Sequence, residues 1–137
     1  MDENHPALVA ARGSWRAVQA GDKDAWLALM ADDIRMEDPI GVGPTNPDGT
    51  GIVGKAALSA FYDANMAPNR IAIETHESYA AGSESAHVLT LTTSFPNGVR
   101  MVVHGVFTYA VNEAGRLTSL CGYWSMEDAR IERPEAN

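Results

Sequence analysis

The spacing of apolar residues changes along the chain. In the first half these residues recur at helical spacing, and after Pro68 they alternate with polar residues as in strands. The pattern predicts helices at 7–20, 23–30 and 54–66, and later strands at 69–80, 85–95, 99–111 and 117–126. Helices followed by antiparallel strands are typical of an α+β fold. Three helices on one face of a curved sheet would enclose a pocket between the two layers.

A short strand predicted at 34–41 interrupts the helical half. Ile34 and Met36 share one face with Asp38, so the apolar side of this strand ends in a carboxylate just before Pro39. A carboxylate on the dry side of a strand loses hydration, which disfavours its charged form and makes it a reasonable base. The alternative is that the Asp-Pro pair begins a turn and that Asp38 caps nearby backbone N–H groups.

The turn-rich segment 41–51 follows directly. Its glycines, prolines and asparagine predict a surface loop beside Asp38, where the mouth or lid of a ligand site would lie. A plain connector between two elements is the other interpretation.

The strand predicted at 99–111 has two apolar faces. Met101, Phe107 and Tyr109 share one face, while Val102 and Val106 lie on the other. A strand of this kind is covered on both sides. We therefore expect a core on the inner face and a homodimer contact on the outer face of the sheet.

Length and composition set broad limits. The 137 residues, 45% of them hydrophobic, predict one folded domain over 1–137, with a charged tail at 127–137 that we expect to fray. The net charge of -8 argues against nucleic-acid and anionic-membrane partners, which require a basic surface. The N-terminal residues show no signal-peptide pattern and no apolar run is long enough to span a bilayer, so we expect a cytoplasmic protein.

Metal chemistry is not indicated. The four histidines are scattered, and although Glu74 and His76 share a strand face, two ligands do not make a metal site. Cys121 is the single cysteine, so no intrachain disulfide can form. We expect no metal and no cofactor.

Several motifs together resemble a known family. They are Ala31-Asp32-Asp33, then Glu37-Asp38-Pro39-Ile40-Gly41, Ala60-Phe61-Tyr62, Gly115-Arg116 and Gly122-Tyr123-Trp124-Ser125. In this order they resemble ketosteroid isomerases, members of the cone-shaped superfamily that includes nuclear transport factor 2 and SnoaL-like proteins. The resemblance covers residues 10–126 and is strongest to actinobacterial steroid-binding members with a long Asn-Pro-Asp-Gly loop.

The resemblance implies a reaction and a base. These enzymes move a proton within a β,γ-unsaturated 3-ketosteroid to form the conjugated enone, and Asp38 stands where the family has its base. Trp124 matches an aromatic residue of the steroid pocket, and Tyr62 matches a tyrosine of the supporting hydrogen-bond network. The implied ligand is small, apolar and steroid-like.

Two positions depart from the family. Ser14 stands where the family has an oxyanion-stabilising tyrosine, and Phe107 stands where it has a protonated aspartate. Ser14 also has an ordinary structural interpretation, a hydrogen bond to a carbonyl one helical turn back. The substitute polar groups that we consider are Ser14, Tyr62, Tyr109 and Trp124. The expected pocket consists of Trp15, Met36, Phe61, Met101, Val103, Gly105, Phe107, Leu120 and Trp124.

Four functions follow from this sequence. The first is a steroid delta-isomerase with a weakened oxyanion site, and the second is a steroid-binding protein without turnover. The third is a SnoaL-type cyclase or hydrolase, in which His87 or His104 would assist only if it faced inward. The fourth is a purely structural dimer, which requires a solvated or salt-bridged Asp38.

Overall fold

The chain has a mixed α+β architecture. The computed structural model describes residues 2–134. Within them the elements are α1 (Pro6–Ala20), α2 (Lys23–Ala28), β1 (Met30–Glu37), β2 (Ile52–Val53), α3 (Lys55–Phe61), a π-helical turn (Tyr62–Met66), β3 (Arg70–Ala81), β4 (Glu84–Ser94), β5 (Arg100–Val111), β6 (Leu117–Tyr123) and β7 (Arg130–Glu132). The α+β class expected from the sequence is confirmed. Among residues 2–134 we find no helix with the length and apolar character needed to cross a bilayer.

The strands form an open sheet in the order β2-β1-β6-β5-β4-β3, with β7 attached to β5. Strands β1 and β6 run parallel, and the other paired strands of the described chain are antiparallel. The residues of β6 that pair with β1 lie more than 80 residues further along the chain. This long-range pairing places the segment after β1 beside the end of β6.

Helix α1 packs on the inner face of the sheet. Its buried side includes several alanines, and such small side chains allow a helix to approach its neighbours closely. Gly21 ends α1 in the left-handed conformation at φ 66°, and the Asp22 side chain accepts a hydrogen bond from the Ala25 N–H at the start of α2. The two signals lie between the helices that the sequence predicts at 7–20 and 23–30.

Several boundaries differ from the sequence prediction. The strand predicted at 34–41 is β1 at Met30–Glu37, the helix predicted at 54–66 changes to a π-helical turn at Tyr62, and β6 ends at Tyr123 and not at 126. Helix α2 ends at Ala28, because Leu29 O accepts the Leu117 N–H and Met30 already pairs with Leu117. Strand β2 was not predicted, since a strand of two residues is too short to show alternation.

The tail contains a strand, so the prediction of a frayed segment at 127–137 is wrong for part of its length. Arg130–Glu132 pairs with the start of β5, and Ile131 lies opposite Met101. Glu132 also makes an ion pair with Arg100, whose Nε lies 3.3 Å from Oε1. The strand was not predicted because the tail is highly charged and because its pairing depends on β5, which lies elsewhere in the sequence. Residues 135–137 lie outside the described residues.

A buried histidine links the sheet to α1. His87 is 1% exposed and lies between two serines, with Nδ1 2.7 Å from Ser78 Oγ and Nε2 2.8 Å from Ser85 Oγ. Because Ser85 donates its hydroxyl proton to Ala7 O, its oxygen accepts the N–H of His87 Nε2. The edge of the ring meets Trp15 with centroids 4.8 Å apart.

Burial, and then the positive charge of Arg12, lower the pKa of His87 from 6.5 to about 4. The folded ring therefore stays neutral at a pH at which the unfolded chain has already bound a proton. Stability is fully present above pH 6.5 and falls as the pH drops from 6.5 towards 4.

We expect the protonation of His87 to lower the free energy of unfolding by roughly 1–2 kcal/mol between pH 6.5 and 4. This is less than the full pKa shift implies, because solvent screens part of the effect. Denaturant unfolding at several pH values would measure the loss in the wild type and in His87→Gln. The variant should be less stable at pH 7.5 but should lack this part of the pH dependence. The exposed His104→Gln is the control, and wild-type and His87→Gln curves that run parallel from pH 7.5 to 4.5 contradict the assignment.

Candidate functional site

The site is built around Asp38, which follows the last residue of β1. The parallel register places Glu37 beside Cys121, and the Ile40 N–H donates to Gly122 O at 2.8 Å, so Asp38 lies over Gly122. A β-carbon added to Gly122 would collide with Oδ1 of Asp38 and would lie 2.9 Å from the Phe107 ring. The carboxyl group therefore packs directly on the backbone of β6, in space left by the missing side chain.

Trp124 holds one oxygen of this carboxyl group. Its Nε1–H donates to Asp38 Oδ1 at 2.5 Å, a charge-assisted contact when the carboxyl is ionised. The indole lies beside Gly105, where an added β-carbon would be 2.6 Å from Tyr123 O and 3.2 Å from Trp124 Cβ. Two glycines on neighbouring strands therefore make room for the carboxylate and for the backbone at Tyr123 and Trp124.

The environment changes the acidity of Asp38. Burial raises the pKa of this carboxyl above its ordinary value of 3.8, and the Trp124 hydrogen bond acts in the opposite direction. The other oxygen, Oδ2, accepts no hydrogen bond from residues 2–134. Since no buried side-chain oxygen in this part of the chain lacks a partner, Oδ2 must reach accessible space. The arrangement is a carboxyl group with one oxygen held and the other free.

The loop 41–51 is fastened to the backbone on either side of Pro39. The Thr45 hydroxyl donates to Asp38 O, and the buried Asn46 donates to Pro39 O at 2.9 Å while accepting the Gly51 N–H at 3.0 Å. The Asp38–Pro39 peptide bond is cis. The segment predicted as a surface loop thus also braces the residue that carries the carboxyl group.

A cavity of about 430 Å³ opens between the helices and the sheet. Its wall is predominantly apolar and contains no charged side chain among the described residues. The lining residues are Ser14, Trp15, Val18, Trp26, Pro44, Thr45, Phe61, Ala64, Asn65, Met66, Pro68, Asn69, Ile71, Ile73, Leu91, Thr93, Phe95, Met101, Tyr109 and Leu120. The buried members mark the deep end, and the more exposed residues of the π-helical turn and β3 mark the mouth.

The sequence-predicted pocket residues divide into two groups. Trp15, Phe61, Met101 and Leu120 line the cavity. The others lie behind its wall: Met36, Val103 and Phe107 are buried in the core, and Gly105 and Trp124 lie at the Asp38 end. Strand alternation predicts which residues point inward, but it does not distinguish inward residues covered by neighbours from those left open.

Asp38 is adjacent to the cavity without forming its wall. Its backbone carbonyl is bound by the lining residue Thr45, and its negative charge contributes to the raised pKa of the lining residue Tyr109. Burial is the main cause of that rise in the pKa of Tyr109. Thr45 therefore joins the backbone that carries the carboxyl group to the wall of the cavity.

The candidate polar groups have different surroundings. Ser14 and Tyr109 line the cavity, and each hydroxyl oxygen accepts an indole N–H, from Trp26 at 3.0 Å and from Trp15 at 2.9 Å. The expected bond from Ser14 to a carbonyl one turn back is not present, and the hydroxyl oxygen instead accepts the indole N–H of Trp26. The signal that sequence reasoning missed is this pair of tryptophans.

Tyr62 does not take part in this end of the cavity. Its ring packs against Trp26 with centroids 5.6 Å apart. Burial, and then the charge of Asp22, raise the pKa of Tyr62, while Lys23 lowers it. Tyr62 is 4% exposed and is not among the residues that line the cavity, so the structure does not place it as a donor there.

The histidines also have clear positions. His87 faces inward but lies behind Trp15 and Tyr109, and it is not a lining residue. His104 is exposed on the outer face, near His76 and hydrogen-bonded to Thr90. Within residues 2–134 no three His, Cys, Asp or Glu side chains form a cluster able to hold a metal ion.

Comparison with known proteins now identifies the family. The model of the SnoaL-like domain matches residues 11–120, which is most of the chain. The chain belongs to the SnoaL-like domain family. This agrees with the ketosteroid isomerase-like arrangement noted in the sequence.

Relatives of this SnoaL-like domain include steroid isomerases. The steroid delta-isomerase of Nocardioides simplex is 28% identical over 112 residues, covering 82% of this chain and 84% of that protein. The crystal structure of the delta 5-3-ketosteroid isomerase from Mycobacterium sp. is 52% identical with a TM-score of 0.91, covering 93% of this chain and 99% of that one. RV0760c of Mycobacterium tuberculosis, in complex with estradiol-17beta-hemisuccinate, is 48% identical with a TM-score of 0.90 and covers 93% and 99% of the two chains.

The contact between Asp38 and Gly122 can be tested by substitution. In Gly122→Ala the new methyl group would occupy the position of the carboxyl group, so Asp38 must move and its bond to Trp124 must break. We expect the free energy of unfolding to fall by about 1–3 kcal/mol, the usual cost of overpacking. We also expect the indole N–H resonance of Trp124 to shift in a ¹H–¹⁵N NMR spectrum.

The control is Cys121→Ala, at the preceding position on the opposite face of the same strand. It should leave the Trp124 resonance in place. An unchanged Trp124 resonance in Gly122→Ala would show that the carboxyl group does not depend on this space.

Proposed function

We propose that this protein binds a steroid-like ketone and moves a proton within it, with Asp38 as the base. The observation that carries the proposal is the carboxyl group beside the deep end of the apolar cavity. Its pKa is raised by burial, one oxygen is held by Trp124 and the other is free. A base with a raised pKa removes a carbon-bound proton more readily than an ordinary carboxylate.

The proposed reaction conserves protons and electrons. Oδ2 of ionised Asp38 takes a proton from the carbon between the carbonyl group and the double bond. The electron pair of that C–H bond forms a new double bond, and the carbonyl π pair moves to the oxygen, giving a dienolate. When the dienolate collapses, its far carbon takes the same proton back from Asp38. The product is the conjugated enone, and Asp38 is ionised again.

In this proposal Trp124 has a role in keeping Asp38 able to accept a proton. An indole nitrogen only donates hydrogen bonds, so it favours the ionised carboxyl over the protonated form. It therefore limits the effect of burial and keeps a fraction of Asp38 available as a base. It also fixes the plane of the carboxyl, so that Oδ2 stays in one orientation while the proton leaves and returns.

The cavity fits a ligand of this class. Its volume of about 430 Å³ lies within the usual range for small-molecule sites, about 300–1,000 Å³. Its apolar wall suits a flat fused-ring hydrocarbon with few polar atoms. The relatives support the same ligand class, since one is a steroid delta-isomerase and another was crystallised with an estradiol derivative.

Steroid binding without turnover is the second candidate. The observation that favours it is the presence of Ser14 and Phe107 where the family resemblance expects its two oxyanion donors. Losing one such donor typically lowers turnover by about a hundred- to a thousandfold. The cyclase or hydrolase alternative has less support, because His87 lies behind Trp15 and Tyr109 and does not reach the cavity.

Turnover can be tested directly. On incubation with a β,γ-unsaturated 3-ketosteroid, the wild-type protein should increase the ultraviolet absorbance of the conjugated enone above the buffer rate. Asp38→Asn should lower the rate by at least about a hundredfold, because the amide cannot accept the proton. Asp33→Asn, an exposed aspartate of β1, is the matched control and should keep the wild-type rate.

Two results would contradict catalysis: no enone above the buffer rate, or an equal rate in Asp38→Asn. Saturable binding of a phenolic steroid without enone formation would support the second candidate instead. Absence of both binding and turnover would exclude both candidates.

We also propose that two copies associate through the outer face of the sheet. Val106 and Tyr123 are register partners on β5 and β6, and they are 41% and 53% exposed. These apolar side chains form a patch that a second copy could cover. The cytoplasmic location expected from the sequence stays a prediction.

Association is tested by sedimentation velocity. The wild type should sediment as a dimer, and Val106→Asp should shift it to the monomer by placing a charge in the contact. Val9→Asp changes an exposed valine of α1 and should remain dimeric. A wild type that is monomeric at high micromolar concentration, or an unaffected Val106→Asp, excludes this contact.

A further inference from the structure

The deep end of the cavity contains two hydroxyl groups with the same arrangement. Ser14 on α1 and Tyr109 on β5 both line the cavity and are only 2% and 4% exposed. Trp26 Nε1 lies 3.0 Å from Ser14 Oγ, and Trp15 Nε1 lies 2.9 Å from Tyr109 Oη. Each hydroxyl is therefore paired with a buried indole.

The direction of both hydrogen bonds is fixed by chemistry. An indole nitrogen has one proton and accepts nothing, so in each pair the hydroxyl oxygen is the acceptor. The hydroxyl proton cannot return to the indole. Among residues 2–134, neither Ser14 nor Tyr109 has a protein acceptor within hydrogen-bond distance for that proton. Both hydroxyl groups thus have a proton to donate, and the cavity is the space that they line.

Two further features strengthen such donors. Accepting an indole N–H polarises a hydroxyl and makes it a better donor, because hydrogen bonds in a chain reinforce one another. Burial, with a contribution from the charge of Asp38, raises the pKa of Tyr109, so its phenol keeps its proton at neutral pH. An apolar wall excludes competing water and increases the value of each bond.

We propose that Trp15 and Trp26 are positioning residues that turn the hydroxyls of Tyr109 and Ser14 into hydrogen-bond donors for a carbonyl oxygen of the ligand. The inference rests on the proposed function and specifies how the ligand oxygen is recognised. Because the two hydroxyl groups have no protein acceptor, they favour a ligand with a ketone oxygen that can accept their protons. The same hydrogen bonds stabilise the negative oxygen of the dienolate. A ligand with a methylene group at that position leaves both hydroxyls unsatisfied. In this chain the two hydroxyl–indole pairs take the place of the tyrosine and the aspartate that the family resemblance expects at positions 14 and 107.

The test uses two probes that differ in one oxygen. Androst-4-en-3-one carries the ketone, and androst-4-ene has the same ring system without it. The dissociation constants of both are measured for the wild type, Tyr109→Phe, Ser14→Ala, Trp15→Phe and Trp26→Phe. The exposed Tyr79→Phe on β3 is the matched control. The carbonyl stretch of ¹³C-labelled androst-4-en-3-one, measured by infrared spectroscopy, reports the hydrogen bonds to the oxygen itself.

We expect Tyr109→Phe and Ser14→Ala each to weaken binding of the ketone about three- to tenfold, as for a typical hydrogen bond. Binding of androst-4-ene should not weaken. The carbonyl stretch should move to higher frequency in both variants and stay unchanged in Tyr79→Phe. Trp15→Phe, which keeps the aromatic ring but loses the N–H, should weaken ketone binding by about two- to fivefold. In the Tyr109→Phe background the same Trp15 change should add nothing, because its effect acts through the phenol.

Three results would overturn the proposal. The first is that the hydroxyl variants weaken binding of both probes equally, and the second is that the carbonyl stretch does not shift in Tyr109→Phe and Ser14→Ala. The third is that Trp15→Phe weakens ketone binding as much in the Tyr109→Phe background as in the wild type. If a tryptophan variant does not fold, the wild-type spectrum still decides. A carbonyl stretch equal to that in an apolar solvent excludes any donor.

These measurements distinguish recognition of the ketone by the two hydroxyl groups from proton transfer by Asp38. A hydrogen-bonded ketone without enone formation from a β,γ-unsaturated ketosteroid would retain this recognition and remove only the proton transfer. Turnover that depends on Asp38, together with an unshifted stretch, would retain the base and remove the hydroxyl pair. Failure of the wild type to bind either probe would overturn both.

Discussion

The carboxyl group of Asp38 lies on bare backbone, and the rest of the site depends on that contact. A buried carboxyl loses hydration, and the described chain compensates for this with a single hydrogen bond from Trp124. The contact is available only because the sheet lacks a side chain at Gly122, while Gly105 leaves room for the backbone that carries Trp124. Two empty inward positions on adjacent strands thus determine where the acid lies and which of its oxygens is free.

The polar groups of the site lie in separate places. The acid lies at one side of the deep end, and the two hydroxyl groups, each occupied by an indole, belong to the wall of the cavity. Between them the wall is apolar, so their fields are weakly screened. This arrangement suits an uncharged ligand that acquires charge only during a reaction, since the resting cavity presents a neutral wall.

Much of the fold follows from local patterns. The meander β3–β5 is predicted to within about two residues at its boundaries, because burial alternates along part of each of these strands. The inward direction of Asp38 follows from the same parity. Elements formed by distant partners cannot be predicted from local patterns. Arg130–Glu132 is as charged as a free tail, and its pairing depends on β5. The hydroxyl–indole pairs are equally hidden, since they join positions 12 and 94 residues apart.

The parallel pairing of β1 with β6 also affects how the protein is made. Asp38 and its indole partner Trp124 are separated by 86 residues, whereas β3, β4 and β5 join consecutive segments through hairpins. Contacts that are close in sequence close small loops and form early, while distant ones wait for most of the chain. A nascent chain can therefore assemble the β3–β5 end of the sheet before the strand after Gly115 has left the ribosome. The acid acquires its partner only at the end of synthesis, so a chain that stops short of residue 124 contains the carboxylate without its site.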